Sequence, residues 1–260
     1  MLLRIFFNLS LLFFNFALLA QQSYIDYRSP FHPTVSKSGM VVSQNIDSSN
    51  IGIEILDMGG NAIDAAVAVG FSLAITLPRA GNLGGGGFLL VYIKEKDEII
   101  SIDYRGASSL NADLFKIFQK KLPEQYNEID RDLVRYGYKA STTPGTVAGL
   151  LEAHKLYGRL PLKDILAPVI KQASEGILVS YDLHNAIKSA PQLLEDPESK
   201  RIYFSNGEAL KINSLMKRPD LAKTISLIAD RDLEGFYAGE VAALISKAMK
   251  NNQGFIDLND

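Results

Sequence analysis

The segment Gly59-Gly60-Asn61-Ala62-Ile63-Asp64-Ala65-Ala66-Val67-Ala68, followed by Pro78-Arg79-Ala80-Gly81-Asn82-Leu83-Gly84-Gly85-Gly86-Gly87-Phe88, constrains the fold of this chain more than any other. Residues 62–76 between them are almost wholly apolar and rich in Ala, Val and Gly, which predicts a helix buried on all sides. Small side chains let such a helix pack closely against its neighbours. It falls short of a membrane span, which takes about 20 residues, so it reads as a central core helix. Asn61 caps it, with Asp64 three residues on in the manner of a capping box. Four successive glycines then allow positive φ and main-chain approaches that a Cβ forbids. The run does not fit a phosphate-binding loop, because no Gly-Lys-Ser/Thr follows and it leads into a strand rather than a helix. It reads as a close approach of helix and strand, compatible with lining the floor of a site, with Pro78 and Asn82 as turn residues.

Around this centre the periodicity predicts a short buried strand at residues 39–43 and a helix capped by Asp47 or Ser48 that runs to Gly59-Gly60. Residues 88–93 and 99–104 flank the charged turn Lys94-Glu95-Lys96-Asp97-Glu98 as a β-hairpin. Residues 111–140 weaken into a polar surface connection. Helices then follow: one opened by Thr142-Thr143-Pro144-Gly145-Thr146 and ended by Gly158, one over residues 162–175 stopped by Gly176, one starting at Pro219 and Asp220, and one over residues 239–250. The class is α/β with a helix-rich second half.

Composition narrows the function. With 260 residues, 47% hydrophobic and 22% charged, the chain buries a substantial core. A net charge of −2 without a basic cluster gives no basis for a nucleic-acid partner. The absence of cysteine excludes disulfides and thiolate nucleophiles, and His32, His154 and His184 lack metal-site spacing, so neither metal nor cofactor is expected. Residues 1–20 have a short basic start and a hydrophobic run ending at Ala20. They read as a secretory signal peptide, with export to a periplasm or the cell exterior and no stable membrane span. Residues 21–38 read as an extended lead-in to one domain over residues 39–260.

The two glycine segments, together with Ser101-Ile102-Asp103-Tyr104-Arg105, Thr143-Pro144-Gly145-Thr146-Val147-Ala148-Gly149, Tyr157-Gly158-Arg159-Leu160-Pro161-Leu162 and Gly235-Phe236-Tyr237-Ala238-Gly239, resemble the large subunit of the γ-glutamyltranspeptidases. The resemblance implies part of an N-terminal nucleophile (Ntn) hydrolase fold, an αββα sandwich, made as a precursor that cuts itself into a large and a small subunit. It implies transfer of the γ-glutamyl group of glutathione to water or an amino acid by a threonine that begins the small subunit, its own amino group serving as base. Arg105 ends the Asp-aromatic-Arg strand and corresponds to the arginine that binds the glutamyl α-carboxylate, a task suited to a planar guanidinium. Without the resemblance the same arginine reads as a solvated charge or a partner of Asp103. The family commonly places glutamate after this arginine, whereas Gly106 stands here.

The family's Thr-Thr-His-aromatic-Ser nucleophile context does not occur in the 260 residues, and Thr142-Thr143 precedes Pro144-Gly145 instead of a histidine. No catalytic residue is therefore assigned, and the chain alone is expected to be inactive. Three readings stay open: the N-terminal part of a longer precursor, half of a split enzyme whose small subunit is supplied separately, and a non-catalytic γ-glutamyl-binding or scaffold protein. His154 and His184 read as packed or partly exposed side chains without function.

Overall fold

The Asn61 side chain accepts the N–H groups of Ile63 and Asp64 while Asp64 reaches back to the Asn61 N–H, closing the expected capping box. The helix it opens lies at the centre of a computed structural model that describes residues 34–112 and 135–260. Chain contacts divide the protein into Met1–Gly39 and Met40–Asp260. In the first unit, the Gly39 N–H donates to Ser36 Oγ. The proposed signal segment and most of the surface connection lie outside the described residues.

In the second unit α1 spans Ile46–Asp57 and α2 spans Ala62–Thr76. Phe71, Ile75 and Val67 of α2 are fully buried, each contributing roughly 1.5–3 kcal/mol by leaving water. α1, α3 (Thr146–Tyr157) and α4 (Leu162–Glu175) pack around α2. On the side of α4 comes α7 (Pro219–Arg231), followed by the short α8 (Glu234–Tyr237) and α9 (Gly239–Asn251).

The hairpin pairs β1 (Phe88–Ile93) with β2 (Glu98–Asp103), Phe88 opposite Asp103 and Tyr92 opposite Ile99. Its turn closes through Asp97 in the left-handed region at φ 50°. Leu89, Val91 and Ile102 face the helical core.

Three regions differ from the sequence reading. Residues 39–43 form no strand; Val41 packs at Gly52 while Val42 is exposed, an extended alternation with no strand among the described residues to pair with. α1 is capped by Asn45, which accepts the N–H groups of Asp47 and Ser48. Ser48 is buried instead, bonded to Ser72 and Thr76, and Ser72 donates to Gln172 of α4. Finally, residues 177–216 hold structure that the periodicity did not show: β3 (Ile177–Leu178), α5 (Tyr181–Lys188), α6 (Pro197–Tyr203), β4 (Phe204–Ser205), β5 (Glu208–Ala209) and β6 (Leu215–Met216). β3 pairs with β6 and β4 with β5.

Candidate functional site

Arg105 emerges just past β2, at a corner where three chain segments meet. Tyr104 before it exchanges two main-chain hydrogen bonds with Gly87, at 3.0 and 3.3 Å. Ala107 after it accepts the Thr143 N–H at 2.8 Å. The Gly85 carbonyl accepts both the Gly145 and Thr146 N–H groups, at 2.8 and 3.0 Å, which ties the glycine run to the start of α3. The main chain on both sides of Arg105 is thereby fixed.

The glycines make this closeness possible. A Cβ on Gly86 would meet the Gly106 nitrogen and lie 2.7 Å from the Tyr104 carbonyl oxygen. One on Gly145 would strike the Tyr104 carbonyl, and one on Gly149 the Tyr104 side chain. Gly81 packs in the same way on Leu73 of α2. Within the glycine run the main-chain approach is at Gly86, which lies on the Tyr104–Gly106 segment rather than on the helix, while the helix contact is made by Gly81 before the run. Gly106 fits the same rule: a Cβ there would run into Thr142 Oγ1 and the Thr143 carbonyl, leaving no room for a side chain. Packed in this corner, the Tyr104 phenol is pushed up from its ordinary value by burial.

The Arg105 side chain is exposed. Asp103 Oδ1 accepts the Arg105 main-chain N–H at 2.9 Å, so this carboxylate orients the backbone of the arginine. Thr142 and Thr143 serve the corner as packing and pairing groups.

The histidines have structural partners. His154 Nε2 donates to the Leu160 carbonyl at 2.8 Å, and His184 Nδ1 to the Leu210 carbonyl at 2.8 Å. Beside His154, fully buried Asp64 accepts the N–H groups of Asn61, Arg159 and Leu160, while Asn61 Nδ2 donates to the Tyr157 carbonyl. The Gly-Gly-Asn and Tyr-Gly-Arg-Leu-Pro motifs are thus the two halves of one clasp.

Sequence reasoning missed two features near Arg105. The outer face of the hairpin is open and carries apolar side chains beside Ser101 and Asp103: Phe88, Leu90 and Ile99 are 63%, 76% and 74% exposed. Simple alternation along β1 signals two apolar faces, because Leu89 and Val91 alternate with Phe88, Leu90 and Tyr92. Beyond the corner, the Ser109 hydroxyl bonds to the Phe255 carbonyl and to the Asp260 carboxylate, and Leu110 N–H also donates to Asp260. No short-range signal joins residues so far apart.

An open groove between α1 and α4, bordered by Asp47, Glu54, Asp164 and Glu175, contains none of the corner residues. Among the described residues no helix is long and apolar enough to cross a membrane.

Residues 48–260 match the family described as gamma-glutamyltranspeptidase. The glutathione hydrolase proenzyme of Escherichia coli is 39% identical over 234 residues, which are 88% of this chain and 39% of that protein. A Pseudomonas aeruginosa glutathione hydrolase proenzyme is 36% identical over 85% of this chain and 38% of its own length. The chain thus spans less than half the length of these curated relatives. The crystal structure of Helicobacter pylori gamma-glutamyltranspeptidase superposes with a TM-score of 0.82 at 37% identity, covering 88% of this chain and 64% of that one. The Pseudomonas nitroreducens enzyme complexed with L-DON gives 0.77 at 35% identity, over 86% of this chain and 64% of its own. The α/β, helix-rich architecture is accordingly a partial Ntn-hydrolase fold. The chain belongs to the γ-glutamyltranspeptidase family.

Proposed function

We propose that this chain supplies the Arg105-bearing part of an exported γ-glutamyltransferase and glutathione hydrolase, completed by a small subunit that carries the nucleophilic threonine. The observation that carries the reading is the corner itself, which fixes the main chain on both sides of an exposed arginine. The relatives' description as glutathione hydrolase proenzymes supports the substrate and the processed precursor. Residues 1–20 act as the signal peptide and residues 39–260 as part of the large-subunit domain.

In this reading the Arg105 guanidinium holds the α-carboxylate of the γ-glutamyl group through two parallel N–H···O bonds. The threonine hydroxyl of the small subunit attacks the γ-carbonyl, its proton passing to the threonine's own amino group. The C–N bond breaks, the protonated amine leaves, and a γ-glutamyl ester remains. Water or an acceptor amine attacks that ester, releasing glutamate or a new γ-glutamyl amide and restoring the hydroxyl. Arg105 takes no proton in these steps; it fixes where the γ-carbonyl lies.

The open hairpin face is the surface the small subunit covers, since an αββα sandwich sets a second sheet against the first. The test is Arg105→Ala in the chain assembled with the C-terminal part of the E. coli relative. A rise in KM for glutathione of about 10- to 100-fold, the scale of a lost charge-assisted pair, is expected. An unchanged KM overturns the assignment.

A further inference from the structure

We propose that Tyr237 is a positioning residue that holds Arg105 in place through the N-terminus of α3. The functional meaning of this proposal rests on the Arg105 reading above; the mechanical coupling does not.

A helix leaves its first N–H groups without intrahelical partners, and a side chain at the N-cap usually satisfies one of them. The N-cap of α3 is Gly145, which has no side chain to do so. The partner comes from α8: the Tyr237 hydroxyl accepts the Ala148 N–H at 3.1 Å and donates to the Pro144 carbonyl at 2.8 Å. One hydroxyl, 89 residues away in sequence, thus bridges the last residue before the cap and the first turn beyond it. Its ring is braced edge-on against buried Phe236, with centroids 5.0 Å apart and planes at 81°. Burial pushes the phenol up from its ordinary value, against the opposing pull of the Ala148 N–H.

What Tyr237 fixes bears directly on Arg105. Gly145 and Thr146 donate to Gly85, Gly145 and Gly149 lie against Tyr104, and Tyr104 is bonded to Gly87. Thr143, next to Pro144, pairs with Ala107. A shift of the Pro144–Ala148 turn therefore moves the chain on both sides of Arg105. The Gly-Phe-Tyr-Ala-Gly motif gains a role that its place in a short surface helix does not suggest.

The test is residue-resolved amide exchange on the chain with Tyr237→Phe, which keeps the ring and removes only the hydroxyl. Tyr203→Phe, which removes a hydroxyl bonded to Arg218, serves as control. The proposal expects faster exchange at Ala148, Gly145, Thr146, Tyr104 and Gly87 in the Tyr237 variant, with α4 and α7 unchanged. A change confined to Ala148, or one spread evenly over the chain, overturns it. A second measurement needs no variant. In the unaltered protein the same five amides share one opening transition with a common denaturant dependence; independent opening of Ala148 and Tyr104 also overturns the coupling. In the assembled enzyme, Tyr237→Phe raises KM for glutathione more than it lowers kcat, and adds nothing on an Arg105→Ala background. Additive effects in that cycle contradict positioning through Arg105. If Arg105→Ala itself leaves KM unchanged, the substrate reading fails while the exchange result still decides the coupling.

Discussion

The clasp at Asp64 and the hairpin that leads to Arg105 are built on opposite terms. Asp64 is wholly inside the molecule, and its carboxylate is served by three main-chain N–H groups from two segments of the same chain. The hairpin has one face on the helical core and another, carrying Phe88, Leu90 and Ile99, open to solvent. The first region completes itself. In the proposed assembly the second is the half that a small subunit covers, since apolar side chains on both faces of a sheet gain stability from layers on both sides. The Arg105 corner lies at the end of that hairpin, so in the proposed assembly the side chain that meets substrate sits beside the face that the small subunit covers.

The contrast predicts a graded series of effects. Asp64→Ala removes the shared acceptor of three main-chain N–H groups at once and should cost roughly 3–5 kcal/mol of folding stability, read from the urea midpoint. Within the glycine run the cost should depend on position. A methyl group at Gly86 meets the main chain of Tyr104 and Gly106, and Gly86→Ala should cost about 1–3 kcal/mol. At Gly84 the nearest atom to such a group is Asn82 Oδ1 at 3.5 Å, an ordinary contact, and Gly84→Ala should fall within about 0.5 kcal/mol of the parent. Equal losses at both glycines would contradict the close-approach account. On the open face Leu90→Ser should also leave stability within about 0.5 kcal/mol, yet weaken assembly with the small subunit. A large loss of stability in the isolated chain would mean that Leu90 is already covered.

These differences explain what could be read from the sequence. Residues 62–76 were legible because the capping box, the apolar run and the flanking glycines are all local signals that agree. The helix over residues 162–175 was legible too, through Pro168, because its apolar spacing continues across the proline. The cap of α1 was misplaced by two or three residues because Ser48, a good capping residue in isolation, is used in a buried hydroxyl chain with Ser72 and Thr76. The Asn206-Gly207 turn between β4 and β5 carried a readable hairpin signal, with both residues at positive φ. The strand expected at residues 39–43 has the right pattern and no partner among the described residues, and pairing is not a property of one segment. At the candidate site, Arg105 was legible only through a motif. Nothing local announced that Tyr237 caps a helix 89 residues upstream or that Ser109 meets the Asp260 carboxylate.

The most direct test of the account is to express this chain together with the C-terminal part of the E. coli relative and measure glutathione hydrolysis by the pair and by each part alone. Hydrolysis by the assembled pair and none by either part is the expected result. Hydrolysis by this chain alone, or a stable pair that leaves glutathione intact, would contradict it.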